Sequence, residues 1–344
     1  MVEVWLKDVA KAAGVSVSAA SHAVNGTGTL SQKRRTAILE VAARLGYQRN
    51  PLLSRLAARR FRPSGSPRYV PVGYVGFVGE NPRLEKQSEV PVEALQAQGE
   101  RYGFAFDRHH VVRTRKAAEK LLDNLHRRGV EALLIGGTDL MDLVRALDLS
   151  RFCVLGVGDI DSEFPYNKVE RDWSDAVRVC FSKLREAGCR RIGGQFMGEE
   201  GQTYQDRLRM GAYLSEQAAH GDVEAIPPLL LKSGGYAMRE VFHEWYRREL
   251  PDGIVAWSLD PIYGLLERGI RIPEDVQVAL IYRLLDDPWY EPFAGVARNL
   301  EIGVRQCLRI LFDQLTHGER GRPEVPMTHR VRYPWIDAPS VRMR

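Results

Sequence analysis

The stretch DVAKAAGVSVSAASHAVNG, residues 8–26, holds six alanines, three serines and only three ionisable side chains. Leu6 to Ala13 reads as a short helix with Val9, Ala10 and Ala13 on one face, and Gly14 stands where a left-handed residue would stop it. Ser16 suits the N-cap of a second helix running to about Val24, because its oxygen can accept a hydrogen bond from the Ser18 or Ala19 amide. Two short helices joined by so tight a glycine-containing turn make a helix-turn-helix, whose second helix offers its N-terminal residues to the major groove. On this reading Ala12, Ala13, Ala20 and Ala23 let the helices cross closely, while Ser16, Ser18 and Ser21 meet phosphates and bases without bulk. A third helix, opening at Ser31, is expected to bury Ile38, Ala42 and Leu45 before Gly46 ends it.

The charge supports that reading. Residues 1–62 carry eleven Lys or Arg against Glu3, Asp8 and Glu40, a balance of +8 in a chain whose net charge is +5, so the rest is slightly acidic. A basic module on a near-neutral body is the electrostatic footprint of a polyanion binder; the plainer alternative is an ordinary solvated surface. At 344 residues the chain exceeds the usual ceiling for one core, and 44% apolar with 27% charged residues is an ordinary globular composition. No apolar run approaches the roughly 18 to 20 residues that span a bilayer, and MVEVWLKD lacks the order of a signal peptide, so a cytoplasmic protein without membrane partners is expected. Cys153, Cys180, Cys189 and Cys307 show no C-x-x-C spacing and read as buried reduced thiols.

Residues 63–69, PSGSPRY, form a linker signal. Beyond it, apolar runs at 70–78, 131–137, 152–157, 190–197, 228–232, 252–258 and 275–282 alternate with helix-like segments Val92–Tyr102, Arg115–Arg128, Ser174–Ala187, Arg207–Ala219 and Tyr236–Arg248. Such alternation implies parallel sheets with helices on both faces, and its length suits two lobes with a ligand cleft between them. No G-x-S-x-G elbow, phosphate-binding P-loop or H-E-x-x-H zinc motif occurs, so nothing calls for an enzyme or a cofactor. His109-His110 could ligate a metal, but no acidic or thiol partner stands at helical spacing, and no metal site is expected.

The N-terminal segment resembles the lactose-repressor (LacI/GalR-type) family of transcription regulators through LKDVAKAAGVS (6–16), SHAVNG (21–26), LS (30–31), LGY (45–47) and NPLLSRLA (50–57). The resemblance implies an all-α helix-turn-helix domain (1–48), a hinge helix (49–62), the linker (63–69), and a two-lobe periplasmic-binding-protein-like α/β core (70–344) with crossovers near 168, 292 and 325. It implies a homodimer on a palindromic double-stranded operator. Val17, Ser18 and His22 would read bases, and Ser16, Ser21, Asn25, Ser31, Tyr47 and Asn50 would touch phosphates. Geometry agrees independently, since 18 and 22 lie one helical turn apart. Two departures are Ala19-Ala20 for the usual Thr-Val and Trp5 for a capping Thr.

After Asn50, Pro51 can open a helix too short to be stable in water alone. In the resembled family this hinge helix docks in the minor groove with a leucine wedge that kinks the duplex. Leu56 stands at that position, with Arg55, Ala57 and Arg59 beside it. The alternative is an ordinary core leucine.

The core resemblance rests on AGCRRIG (187–193), RMGAY (209–213), LLERGIRIPEDVQVALI (265–281) and VARN (296–299). It implies a carbohydrate-like effector, held by Arg209 with Asp159, Arg171, Asp172, Trp257, Ser258 and Tyr282 as further candidates. The family's Asn-Asp clamp is replaced here by Ser258-Leu259, and its Phe-Asp-Asp strand end by Ile281-Tyr282-Arg283. Trp257 could stack on a sugar ring or belong to the core. The eroded clamp keeps open a second reading, a DNA binder whose core only dimerises. An enzyme or transport protein with an incidental basic N-terminus is a third.

Overall fold

The computed structural model describes residues 6–25, 31–45, 69–79, 92–136, 138–158, 160–198, 204–231 and 236–342. Two compact units divide the chain, Met1–Tyr69 and Val70–Arg344.

In the first unit, α1 (Leu6–Ala12), α2 (Val17–Asn25) and α3 (Gln32–Arg44) enclose a small core of Val9, Ala10, Ala20, Ala23, Ile38 and Ala42. Gly14 takes φ +64, and the Val15 amide donates to the Ala10 carbonyl at 3.0 Å, which ends α1 and turns the chain into α2. Two expectations need correction. Ala12 is exposed, so Ala10 carries the helix crossing; Leu45 is 36% exposed, because it falls past the last turn of α3.

The second unit is built from two parallel-sheet lobes. Lobe one runs β1 (Val70–Phe77), α4 (Val92–Tyr102), β2 (Phe104–Val112), α5 (Arg115–Arg127), β3 (Ala132–Ile135), α6 (Met141–Ala146), β4 (Cys153–Val157) and β5 (Lys168–Arg171). Lobe two runs α7 (Trp173–Glu186), β6 (Ile192–Met197), α8 (Tyr204–Ala219), β7 (Leu229–Leu231), α9 (Tyr236–Glu249), β8 (Gly253–Ala256), α10 (Asp260–Leu266), β9 (Gln277–Leu284) and β10 (Ala294–Arg298). The chain returns to lobe one with α11 (Leu300–His317) and β11 (Thr328–Val331), then ends in lobe two with β12 (Trp335–Ile336). Among the described residues the sheet orders are β11-β5-β4-β3-β1-β2 and β12-β10-β9-β8-β6-β7, with β12 antiparallel to β10.

Each sheet buries both faces, as parallel sheets must. Along β1, Val70, Val72 and Tyr74 pack under α11, whereas Val75 and Phe77 pack under α5. In lobe two, α7 and Tyr213 of α8 cover one face, and α9 with α10 covers the other. All four cysteines are buried and unbridged.

The chain changes lobes at 172, 299 and 332–334. These points lie a few residues beyond 168, 292 and 325, because β5 starts at 168 and β10 and β11 start just after 292 and 325, and the chain leaves only from the carboxyl ends of these strands. The sequence reading also passed over β2 and α11. β2 is an edge strand whose Asp107-Arg108-His109-His110 centre breaks the apolar pattern, as edge strands permit.

Candidate functional site

The helix-turn-helix surface follows from its core. Ser16 Oγ accepts from the Ala19 amide at 3.1 Å, so the first turn of α2 is capped by one of its two expected donors. With Ala20 and Ala23 turned inward, Ser18 and His22 are left exposed on the opposite side, and Val17 is 51% exposed beside them at the helix start. A bulky valine half open to water at a helix N-terminus offers an apolar contact of the kind a thymine methyl takes. Ser31 precedes α3 with its hydroxyl unused in capping and exposed. Ser21 and Asn25 are described in backbone only, and Tyr47, Asn50, Arg55, Leu56, Ala57 and Arg59 lie outside the described residues.

Between the lobes, the structure gathers Arg171, Arg209, Trp257 and Tyr282 around a residue that the sequence reading missed, Trp173. The Arg209 guanidinium sits 4.6 Å from the Trp173 ring centroid and 4.1 Å from that of Trp257. Trp173 and Trp257 are 4.9 Å apart, and Trp257 and Tyr282 are 5.5 Å apart. Arg209 is 4% exposed and pairs through Nη2 with Asp206 one turn earlier. Its Nε and Nη1 are buried without a partner among the described residues. Buried N–H groups of a cation are costly to leave unpaired, which marks this spot as one that a ligand's acceptors would satisfy. The same loop is fixed by Gln195, whose Oε1 accepts from the Trp257 and Ser258 amides at 3.1 and 3.0 Å. Asp159 lies outside the described residues.

Two of the proposed effector contacts are otherwise engaged. Arg171, at the end of β5, donates from Nη2 to the Ile281 and Val296 carbonyls at 2.8 and 3.0 Å, within 4.9–5.3 Å of the Trp173, Tyr282 and Tyr333 rings. These bonds join the end of lobe one to the second sheet and engage the Nη2 group of this effector candidate. Asp172 is the N-cap of α7, accepting from the Asp175 amide at 2.9 Å, because the first crossover delivers the chain straight into a helix. Further cross-lobe contacts come from the start of α8, where Gln205 Nε2 donates to the Ile160 carbonyl at 2.8 Å and Tyr204 OH accepts from Arg330 at 2.9 Å. The signals for these missed groups are local: Trp173 adjoins Asp172, and Asp206 stands three residues before Arg209. His109 is described in backbone only, and no cluster of metal-ligating side chains occurs among the described residues.

A helix-turn-helix module ahead of a two-lobe core with polar and aromatic groups between the lobes defines a DNA-binding regulator on a solute-binding scaffold. Residues 5–50 match the family of bacterial regulatory proteins of the lacI type, and residues 181–333 match the periplasmic binding protein-like domain. The chain is a transcription regulator of the lacI family. A similar protein is the HTH-type transcriptional repressor PurR of Haemophilus influenzae (strain PittEE), 23% identical over 337 residues that cover 92% of each chain. Among solved structures, the transcriptional regulator CelR–cellobiose complex is similar, with a TM-score of 0.56 and 21% identity over 98% of this chain and 100% of that one. The lac repressor dimer bound to operator and the anti-inducer ONPF gives 0.58 and 18% identity over 99% of each chain. No helix among the described residues is long and apolar enough to cross a membrane.

Proposed function

We propose that this regulator is a homodimeric repressor that reads an inverted-repeat operator through paired α2 helices and changes its DNA affinity when a carbohydrate or related small molecule occupies the interlobe cleft. The observation that carries the DNA half is the division of α2, with alanines inward and Val17, Ser18 and His22 outward at its N-terminal end. Those three residues read base edges. Ser16, Ser21, Asn25, Ser31, Tyr47 and Asn50 hold the phosphates, and Leu56 with Arg55, Ala57 and Arg59 enters the minor groove from the hinge. A two-fold dimer matches a palindrome because protein and DNA share the axis. The relatives support this reading, one solved as a dimer on its operator and another with cellobiose.

The unpaired donors of Arg209 between two tryptophans favour an effector-binding core over one that only dimerises. An aromatic face beside a cation suits a sugar ring's C–H face and its hydroxyls. The core binds this molecule without transforming it, and acts from the cytoplasm. Effector and operator are coupled by linkage, each changing the other's affinity by the same factor. In vitro operator selection with the full-length protein, repeated with candidate sugars, sugar acids and nucleobases, tests both halves. A palindrome whose preference shifts in His22 and Ser18 variants is expected; no selected sequence sinks the DNA half. A thermal-shift screen tests the core, since ligand at about 100 times its Kd adds about 2.7 kcal/mol. Leu56→Ala is expected to weaken specific more than non-specific binding, and equal loss would restore the core-leucine reading.

A further inference from the structure

Lobe one contains a cavity whose lining includes none of the residues of the Trp173–Arg209 cluster. It has a volume of 670 Å³ and lies at the end of α11, lined by Arg309, Phe312, Asp313 and Gln314 of that helix, by Glu319 just beyond it, and by Tyr102 and His329 among others. Volumes of about 300–1,000 Å³ are those of small-molecule sites.

Its polar groups are arranged for a ligand that donates hydrogen bonds. Gln314 is 6% exposed, and its Nε2 donates to the Val154 carbonyl at 3.3 Å, which fixes the amide so that Oε1 is the group left over. That oxygen is buried and has no partner among the described residues, and the same holds for His329 Nε2. A buried acceptor left unpaired is costly, so Gln314 Oε1, on a residue that lines this cavity, calls for a donor. Charge selects its sign. Asp313 and Glu319 outnumber Arg309, and the helix brings the negative end of its dipole to the same wall. Phe312 and Tyr102, whose rings meet edge to face at 6.5 Å, supply an apolar and aromatic side.

We propose that this cavity binds a small organic cation, a ring-bearing primary amine, whose ammonium donates to Gln314 Oε1 under the field of Asp313 and Glu319 while its ring lies on Phe312 and Tyr102. Aromatic faces and carboxylates together favour ammonium over neutral ligands. The site is independent of the interlobe cleft and of what the cleft binds.

The test is calorimetric titration of the full-length protein with tyramine and with tyrosol, which replaces the ammonium by a hydroxyl on the same skeleton. Saturable tyramine binding, at least tenfold tighter than tyrosol and weakened by salt, is expected. Glu319→Gln, an exposed substitution that leaves the fold intact, weakens tyramine severalfold, and Gln314→Leu abolishes it with the protein still melting cooperatively. Trp257→Ala leaves tyramine affinity unchanged. Equal binding of tyramine and tyrosol, absence of binding up to millimolar tyramine, indifference to Glu319→Gln, or loss in Trp257→Ala overturns the proposal.

Discussion

Replacing Arg171 by methionine separates a lobe pin from an effector ligand. Arg171 is 8% exposed, and its guanidinium makes two hydrogen bonds from Nη2 to carbonyls of the other lobe. Hydrogen bonds from a charged donor are worth about 1.5–3 kcal/mol each, so losing two costs about 3–6 kcal/mol. Methionine is close in length, fills the space among the three rings and no longer needs a charge desolvated, which returns about 1–2 kcal/mol. The expected net loss is about 1–5 kcal/mol, and a loss in the middle of that range lowers the urea midpoint by about 1 M for a domain of this size. Urea unfolding followed by fluorescence of Trp173 and Trp257, which flank the site, measures it without any effector present. A ligand-binding arginine held ready in a wet cleft would give a change within about 0.5 kcal/mol. A loss smaller than about 1 kcal/mol refutes the pin. The comparison is Asp206→Asn with Arg209→Met. Removing a buried ion pair together is often nearly neutral, so unfolding should barely move while any effector response disappears.

Ala20→Leu adds bulk at a fully buried position of the small helix-turn-helix core, costing about 1–3 kcal/mol by overpacking; DNA binding should collapse while the core's melting transition stays put, and unaltered operator affinity would refute the tight crossing. Gly295→Ala drives a methyl into the Leu280 carbonyl of the neighbouring strand, so poor soluble yield or a lowered melting temperature is expected, and a wild-type melting curve would contradict the register. Burial lifts the Cys180 and Cys307 thiols from 9.0 to about 12. The unfolded chain therefore releases these protons first as pH climbs past the ordinary value, so their contribution is complete below pH 9.0 and is lost towards about 12. Native protein should resist thiol reagents at pH 8 and react fully in urea, and rapid native labelling would refute the burial. Gln205→Ala removes one neutral cross-lobe hydrogen bond, worth about 0.5–1.5 kcal/mol, without stranding the Ile160 carbonyl, which Lys168 Nζ also reaches at 3.1 Å. The effector-dependent ratio of operator affinities should change by up to about tenfold, and an unchanged ratio would remove Gln205 from the coupling.

The N-terminal module was legible because its determinants are local. Gly14 needs a positive φ, Ser16 needs an amide three residues on, and inward alanines force their neighbours outward; each follows from spacing within one or two turns. Most sheet strands were legible for the same reason, being short apolar runs. The cleft was not. Whether Arg171 meets a ligand or the Ile281 and Val296 carbonyls depends on pairings more than a hundred residues apart, which no periodicity encodes. Trp173 escaped notice because a helix-start tryptophan after a capping Asp looks like core, and it becomes part of a site only when the loop after β8 brings Trp257 against it. Leu45 shows the converse, an apolar residue at the right spacing whose helix stops one residue too soon.

Under the proposed function the two interlobe arginines would divide the work that a regulator of this kind requires. Arg171 has its Nη2 hydrogens spent on backbone and lies beside the first crossover, so on that reading it would resist rather than transmit a change in lobe arrangement. Arg209 has donors to spare, and it sits on α8, the helix whose first two residues, Tyr204 and Gln205, make hydrogen bonds to the other lobe. Under the proposed function, an effector that takes up the spare donors acts on the same rigid helix that carries those contacts. A helix moves as a unit because its backbone bonds are internal, and the contacts it carries, one neutral and one exposed, are exchanged more cheaply than the two buried bonds of the pin. Effector binding is then able to shift the lobes without unpicking the joint on which they turn. The coupling it produces is limited to what those few exchangeable bonds are worth, a range of about 1–3 kcal/mol that is the usual scale of allosteric control.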